Sequence, residues 1–252
     1  KMPGSRLKNF FIKKLMELSI KYCDKLIVNS NFAKKEIINY LGLKDNKIEV
    51  VYLGADNQDE TKTKNINLQN FDYTSEYILC VSSCVRYHNF ITILEAFKNI
   101  LYKDKKNLKL VFISQVLDKG YFAEIKRYIS KNFLKNEIIF LNNLDKDNIK
   151  KFYTNALFYI FSSYCEVFGL TTLEAMLNKC PVLVSKSSAL TEINSDSAIY
   201  FNPDNQIEIR EKILDLINNI DLRQSLIIKG SNHVKNFKWL NAFKKTMEVI
   251  LN

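Results

Sequence analysis

Short apolar runs alternate with helix-periodic segments along the whole chain, and this alternation constrains the fold more than any other feature. Strand-like runs are Lys25–Val28, Ile48–Leu53, Tyr77–Ser82, Leu108–Ile113, Glu137–Leu141, Phe158–Phe161, Pro181–Val184 and Ala198–Phe201. Between them, a 3.6-residue period appears in segments such as Ile91–Leu101, Phe122–Ile129, Ile149–Thr154, Leu170–Leu177 and Ile207–Ile217. Near-continuous apolar strands suit a parallel sheet covered on both faces. The pattern therefore predicts an α/β fold, a Rossmann-like doubly wound parallel sheet with right-handed crossovers. Ligands in such sheets sit beyond the carboxyl ends of the strands, so chemistry belongs in the loops there.

The 252 residues are divided by a polar stretch at Asn57–Asn70, which places a boundary near Leu53–Asn70. Before it, Leu7–Leu26 reads as a helix leading into a strand and Asn29–Leu41 as a second helix, too few elements to close a domain. The expected organisation is residues 1–53 as the tail of an N-terminal domain with its linker, 54–237 as a ligand-binding domain, and 238–252 as a final amphipathic helix.

A net charge of +10 is carried mostly by lysines spread through helical patterns; arginine stands only at Arg6, Arg86, Arg127, Arg210 and Arg223. A nucleic-acid groove would cluster arginine with exposed aromatics, so no nucleic-acid partner is expected. The 5 cysteines (Cys23, Cys80, Cys84, Cys165 and Cys180) lack CxxC spacing and lie in or beside apolar runs, as small buried hydrophobes do. A reducing cytoplasm is expected, and no apolar run reaches the roughly 18 residues that span a bilayer.

The densest chemical signal runs from Phe161 to Met176 and carries Glu166, Gly169 and Glu174. A buried strand ends near Ser162, a loop carries Glu166, and a helix starts after Gly169. The first amides of that helix, at Leu170 and Thr171, have no internal partners and form an anion site with the helix dipole. Gly169 lets a diphosphate approach the backbone. Two carboxylates flanking such a site suit a ligand with hydroxyls at both ends of a diphosphate, which is the shape of a nucleotide sugar. The plainer alternative makes Glu166 a helix cap and Glu174 a solvated charge.

This stretch resembles the Glu-x7-Glu motif of glycosyltransferase family 4, whose members have the two-domain GT-B fold. The similarity extends through Tyr77–Phe97, Ile139–Ser163, Pro181 to Ser185, Ala189 to Glu192, and Ala198–Pro203, with Lys25–Asp56 resembling the end of the N-terminal domain. The resemblance implies a retaining glycosyltransferase, or its donor-binding half, acting from a nucleoside-diphosphate sugar on a glycan or lipid-linked acceptor. Glu174 would bind ribose hydroxyls, Glu166 the transferred sugar, and the amides of Phe168, Gly169, Leu170 and Thr171 the diphosphate and sugar. No metal or other cofactor is implied. Catalysis would rest on stabilising charge on the departing diphosphate.

Departures from the family pattern concentrate in the first phosphate loop. Its usual Arg and Lys positions fall on Ser83 and His88, with Arg86 between them as a candidate replacement. Arg86 and His88 join Glu166 as candidate catalytic residues, and with Ser83 they complete the expected donor site; the alternative leaves Arg86 a solvated loop residue. Val167 stands in place of a glycine and Thr172 where proline is common. The family's acceptor-binding domain has no counterpart beyond the tail, so a missing N-terminal domain or partner chain is expected. The competing reading is a partner subunit with the same fold and a decayed site.

Weaker signals remain. Asp145-Lys-Asp147 matches a metal-binding Asp-x-Asp but precedes a helix, so capping accounts for it more simply. His233 reads as a surface helix residue. The helix Leu7–Leu26 sets Lys8, Lys13, Lys14 and Lys21 beside Phe10, Phe11, Leu15 and Ile20. Docking of that face on the core is the first expectation, and peripheral contact with an anionic membrane surface the second.

Overall fold

The computed structural model describes residues 6–42, 44–55, 75–104 and 107–251. In chain order its elements are α1 (Arg6–Tyr22), β1 (Leu26–Val28), α2 (Asn31–Leu41), β2 (Ile48–Val50), β3 (Tyr77–Val81), α3 (Phe90–Asp104), β4 (Lys109–Ile113), α4 (Lys119–Lys131), β5 (Ile138–Leu141), α5 (Lys146–Asn155), β6 (Phe158–Phe161), α6 (Leu170–Leu177), β7 (Val182–Ser185), α7 (Leu190–Asn194), β8 (Ile199–Phe201), α8 (Gln206–Asn218), α9 (Ile220–His233) and α10 (Trp239–Leu251). The polar stretch Asn57–Asn70 and Asp56 lie outside the described residues.

β3 to β8 form a 6-stranded sheet in the order β5-β4-β3-β6-β7-β8, and every pairing in it is parallel. The strand order reverses between β3 and β6, which are hydrogen-bonded neighbours. That junction is the topological switch point of a doubly wound sheet, where the loops from the two strands diverge and leave a crevice.

Strand pleating sorts the core into two layers. Ile78, Cys80, Leu110, Phe112 and Ile160 face one side, under Phe90, Ile93, Leu94 and Phe97 of α3 and Ile209 and Ile213 of α8. Tyr77, Leu79, Val111, Tyr159 and Phe161 face the other, against Phe152 and Tyr153 of α5 and Leu173 and Met176 of α6. Phe90, Phe112 and Phe140 stack in series with centroids 4.6 and 4.8 Å apart. Each buried aromatic of this size contributes on the order of 2 kcal/mol.

β1 and β2 make a separate 2-stranded parallel sheet. α2 beside it is well delimited: Ser30 accepts a hydrogen bond from the Ala33 N–H, and Gly42 at φ 64 ends the helix. Docking of the apolar face of α1 on the core is not what the described structure holds. Phe10, Phe11, Leu15, Met16 and Tyr22 stay more than half exposed. The contacts of α1 are polar instead, with Lys13 over the Tyr40 ring at 4.8 Å and Lys47 Nζ donating to the Lys21 carbonyl at 2.9 Å.

α10 returns to the N-terminal elements. The Ala55 N–H donates to the Phe237 carbonyl at 3.0 Å, and a Cβ on Gly54 would lie 2.2 Å from the Trp239 nitrogen. Only glycine permits that approach. Trp239, Ala242 and Phe243 then wall an apolar groove of about 670 Å³ against Ile27, Ala33 and Ile37. No helix among the described residues is long and apolar enough to cross a membrane.

All 5 cysteines are free. Cys80, Cys84 and Cys180 are buried as expected of small hydrophobes, whereas Cys165 is exposed because it lies in the loop after β6 rather than in the strand. His233 also departs from expectation: it is half-buried, and its Nε2 lies 2.7 Å from the Ile193 carbonyl.

Candidate functional site at the switch point

Two loops meet where β3 and β6 end. The first follows β3, makes a single 3-10 turn over Arg86–His88, and closes on Asn89 in the left-handed region at φ 54. Asparagine tolerates that conformation better than most residues. Ser162, fully buried at the end of β6, donates to the carbonyls of His88 and Asn89 at 2.8 and 3.0 Å. The two loops are therefore stitched together below the crevice, and the stitch sets the height of His88.

His88 is almost completely buried. Its Nδ1 lies 2.6 Å from the Ser83 carbonyl and its Nε2 lies 3.2 Å from Glu166 Oε1. A carbonyl can only accept, so Nδ1 carries a proton. The Nε2 contact is then a hydrogen bond only when one further proton sits between ring and carboxylate. Tyr87 and Phe161 pack edge-on against the ring at 4.5 and 5.2 Å and hold its plane.

Glu166 is held by its backbone as well as by His88. Its N–H donates to Ser188 Oγ at 2.7 Å, and its carbonyl accepts from the Ala189 N–H at 3.1 Å. Ser188 sits at φ 47, an uncommon conformation for a residue with a Cβ. Ser185 and Ser187 both donate to the Ser163 carbonyl, at 2.5 and 2.6 Å. The loop after β7 thus grips the loop after β6 through hydroxyls, a role invisible in apolar patterning.

α6 begins beyond this loop. Its N-cap is Gly169 at φ 86, and no side chain caps it, so Glu166 is not the helix cap of the plainer reading. A Cβ on Gly169 would lie 2.6 Å from Leu190 Cδ2; glycine is required twice over, by conformation and by space. The backbone N–H groups of Phe168, Gly169, Leu170 and Thr171 donate to no acceptor among the described residues. Such a row of amides at a helix N-terminus attracts an anion.

One turn into α6, Glu174 lies 3.5 Å from the Tyr153 hydroxyl, which also donates to the Thr171 carbonyl at 3.2 Å. Burial raises the Glu174 carboxyl above its ordinary value, with the Tyr153 hydrogen bond and nearby Lys146 opposing the shift. The Thr171 hydroxyl meets Tyr159 at 2.8 Å. Tyr153 and Tyr159 support the site from below, and apolar patterning marked them only as core.

Ser83, His88, Glu166, Phe168, Gly169, Leu170, Thr171 and Glu174 all lie on these two loops and the first turns of α6. Ser83 contributes its carbonyl, to His88. Arg86 is engaged elsewhere: its guanidinium pairs with Glu124 of α4 at 2.7 Å and lies over the Tyr121 ring at 4.9 Å. The Asp-x-Asp at 145–147 resolves as a cap, Asp145 Oδ1 accepting from the Asn148 N–H at 2.8 Å.

A six-stranded doubly wound parallel sheet, with an anion-attracting helix end and two carboxylates at its switch point, has the α/β architecture of the GT-B fold. The chain belongs to the glycosyl transferases group 1 family, whose model matches residues 61–233.

Among curated proteins it is similar to the O-antigen chain mannosyltransferase RfbU of Salmonella typhimurium, 23% identical over 239 residues covering 95% of this chain and 63% of that one. It is also similar to the capsular polysaccharide biosynthesis glycosyltransferase CapM of Staphylococcus aureus, 25% identical over 240 residues covering 90% and 61%. Among solved structures, Anabaena Alr3699/HepE in complex with UDP and glucose superposes with a TM-score of 0.80 at 16% identity, covering 94% of this chain and 66% of that one. A glycosyltransferase from Rickettsia africae gives 0.77 at 20%, covering 90% and 62%. These solved structures share the fold. The chain spans less than two thirds of the length of the two curated relatives.

Proposed function

We propose that this chain is the donor-binding half of a retaining glycosyltransferase of family 4 type, taking a nucleoside-diphosphate sugar. The observation that carries the reading is the row of unpaired amides at Phe168–Thr171, set between the Glu166–His88 pair on one side and Glu174 on the other. A diphosphate placed against those amides meets the helix dipole. Glu174 is then one helical turn from a ribose, and Glu166 faces the sugar. Charge building on the departing diphosphate is met by fixed dipoles, which need no reorganisation during transfer. His88, its Nδ1 proton committed to the Ser83 carbonyl, turns Nε2 toward Glu166 on the same side of the crevice. No metal takes part in the transfer.

The acceptor is a glycan or a lipid-linked molecule, and the protein works in the cytoplasm at the inner face of a membrane. What supports this is the polysaccharide chemistry in the names of RfbU and CapM, together with the exposed Phe10, Phe11 and Leu15 beside exposed Lys13 and Lys14 on α1. Residues 1–53 supply the tail of the acceptor domain, 54–237 the donor domain and 238–252 the crossover helix. The deciding experiment is a titration calorimetry panel of UDP-, GDP- and ADP-sugars. Binding of one nucleotide class that Glu174→Ala removes supports the reading; no heat across the panel supports a partner subunit with a decayed site.

A further inference from the structure

The loop that carries Glu166 is also held from outside the donor domain. Ser30, fully buried at the start of α2, donates its hydroxyl proton to the Val167 carbonyl at 2.6 Å. The same oxygen accepts from the Ala33 N–H at 3.1 Å, so the hydroxyl is polarised by the helix end and its proton has one direction left. The partners are 137 residues apart in sequence. A second contact grips the same helix end. Glu192 of α7 accepts from the backbone N–H groups of Asn31 and Phe32 at 2.7 and 2.8 Å, and from the Tyr52 hydroxyl at 2.7 Å. Burial and the Glu192 carboxylate push the Tyr52 phenol up to about 12, so it remains a donor throughout the neutral range.

These contacts close a ring. The Glu166 carbonyl accepts from Ala189, the residue before α7; α7 carries Glu192 to the α2 end; and Ser30 at that end returns to Val167, next to Glu166. A shift of α2 therefore pulls on the two successive carbonyls that flank Val167 in the donor loop. Resting on the donor-site reading above, we propose that Ser30 and Glu192 are positioning residues. They form a clasp that makes the geometry of the Glu166–Gly169 loop depend on the seating of the N-terminal segment. Donor affinity would then respond to the orientation of the two halves without any N-terminal residue touching the donor.

The test uses the whole chain, with Ser30→Ala, Ser30→Thr and Glu192→Gln. The readouts are binding of UDP and GDP by calorimetry and the ¹⁵N amide resonance of Phe168, whose peptide contains the Val167 carbonyl. Ser30→Ala and Glu192→Gln are each expected to weaken binding about fivefold, the scale of one hydrogen bond. Ser30→Ala should also displace the Phe168 resonance, and Ser30→Thr, which keeps the hydroxyl, should restore both. Unchanged affinity in both variants of a binding-competent chain overturns the clasp. If the unaltered chain binds neither nucleotide, it is the donor-site reading that fails, and the Phe168 resonance alone decides the clasp. If Ser30→Ala does not fold, the same readouts in Glu192→Gln decide it.

Discussion

His88 and Glu166 come from loops 78 residues apart and meet at 3.2 Å at the reversal of strand order. The contact is directional because the other ring nitrogen is committed to the Ser83 carbonyl. Replacing His88 by Ala removes the partner of a half-buried carboxylate and leaves that carbonyl with the Val85 N–H as its remaining donor. Nucleoside-diphosphate affinity is expected to fall by more than about 1 kcal/mol. Arg86→Ala, by contrast, breaks an exposed ion pair with Glu124 and should change affinity less than about twofold. Calorimetry on both variants checks the contrast, and a larger loss in Arg86→Ala would show that the guanidinium leaves Glu124 for the ligand.

Burial of Glu174 costs stability at neutral pH. Its carboxyl is raised in the folded state, so the fold holds that proton to higher pH than the unfolded chain does. This contribution to stability is complete below the unfolded value, roughly 4.3, and is lost as pH rises through the folded value. Glu174→Gln should therefore melt higher than the parent chain at pH 7, with the gap closing below about pH 4. Nucleotide affinity should drop about tenfold, as for loss of a charged hydrogen bond. Melting curves across pH with parallel titrations measure both.

Gly169→Ala faces two separable obstacles, φ 86 and a Leu190 methyl 2.6 Å from the new Cβ. The expected cost is about 1–3 kcal/mol in urea denaturation. In Gly169→Ala with Leu190→Ala the clash is gone and the conformational part remains, so amide-dependent nucleotide binding should stay impaired. Recovery of full binding in that pair would assign the whole effect to packing.

At Gly54 the obstacle is backbone, since a Cβ would lie 2.2 Å from the Trp239 nitrogen. Gly54→Ala must push the start of α10 away, with a cost of more than about 2 kcal/mol. Trp239 is the sole tryptophan, so its emission should shift to the red as the contact opens. An unshifted spectrum with unchanged stability would show that the linker can slide.

Much of the architecture was legible because burial on both faces writes itself into composition. The runs Tyr77–Ser82 and Phe158–Phe161 correspond to β3 and β6 within a residue, and the helix after Gly169 begins where the unpaired amides were expected. Asp145 as a cap was readable for the same local reason: the Asn148 N–H that it accepts from lies three residues away. Contacts between distant segments left no such mark. Arg86 beside His88 in sequence gave no sign that Glu124 would hold it, and no periodicity singles out Ser30, Ser188 or Tyr153 from other hydroxyls.

By itself, then, the sequence determined the parallel doubly wound sheet, the loop that bears Glu166, and the glycine-led helix end, because each depends on residues within a turn or a strand of one another. Only the tertiary structure decided that His88 faces Glu166, that Arg86 pairs with Glu124, that α1 leaves its apolar face exposed, and that Ser30 and Glu192 bind the N-terminal segment to the Glu166 loop and α7. Those outcomes depend on which loops the strand order brings together, and a hydrogen bond across 137 residues is specified by that order rather than by its neighbours in sequence.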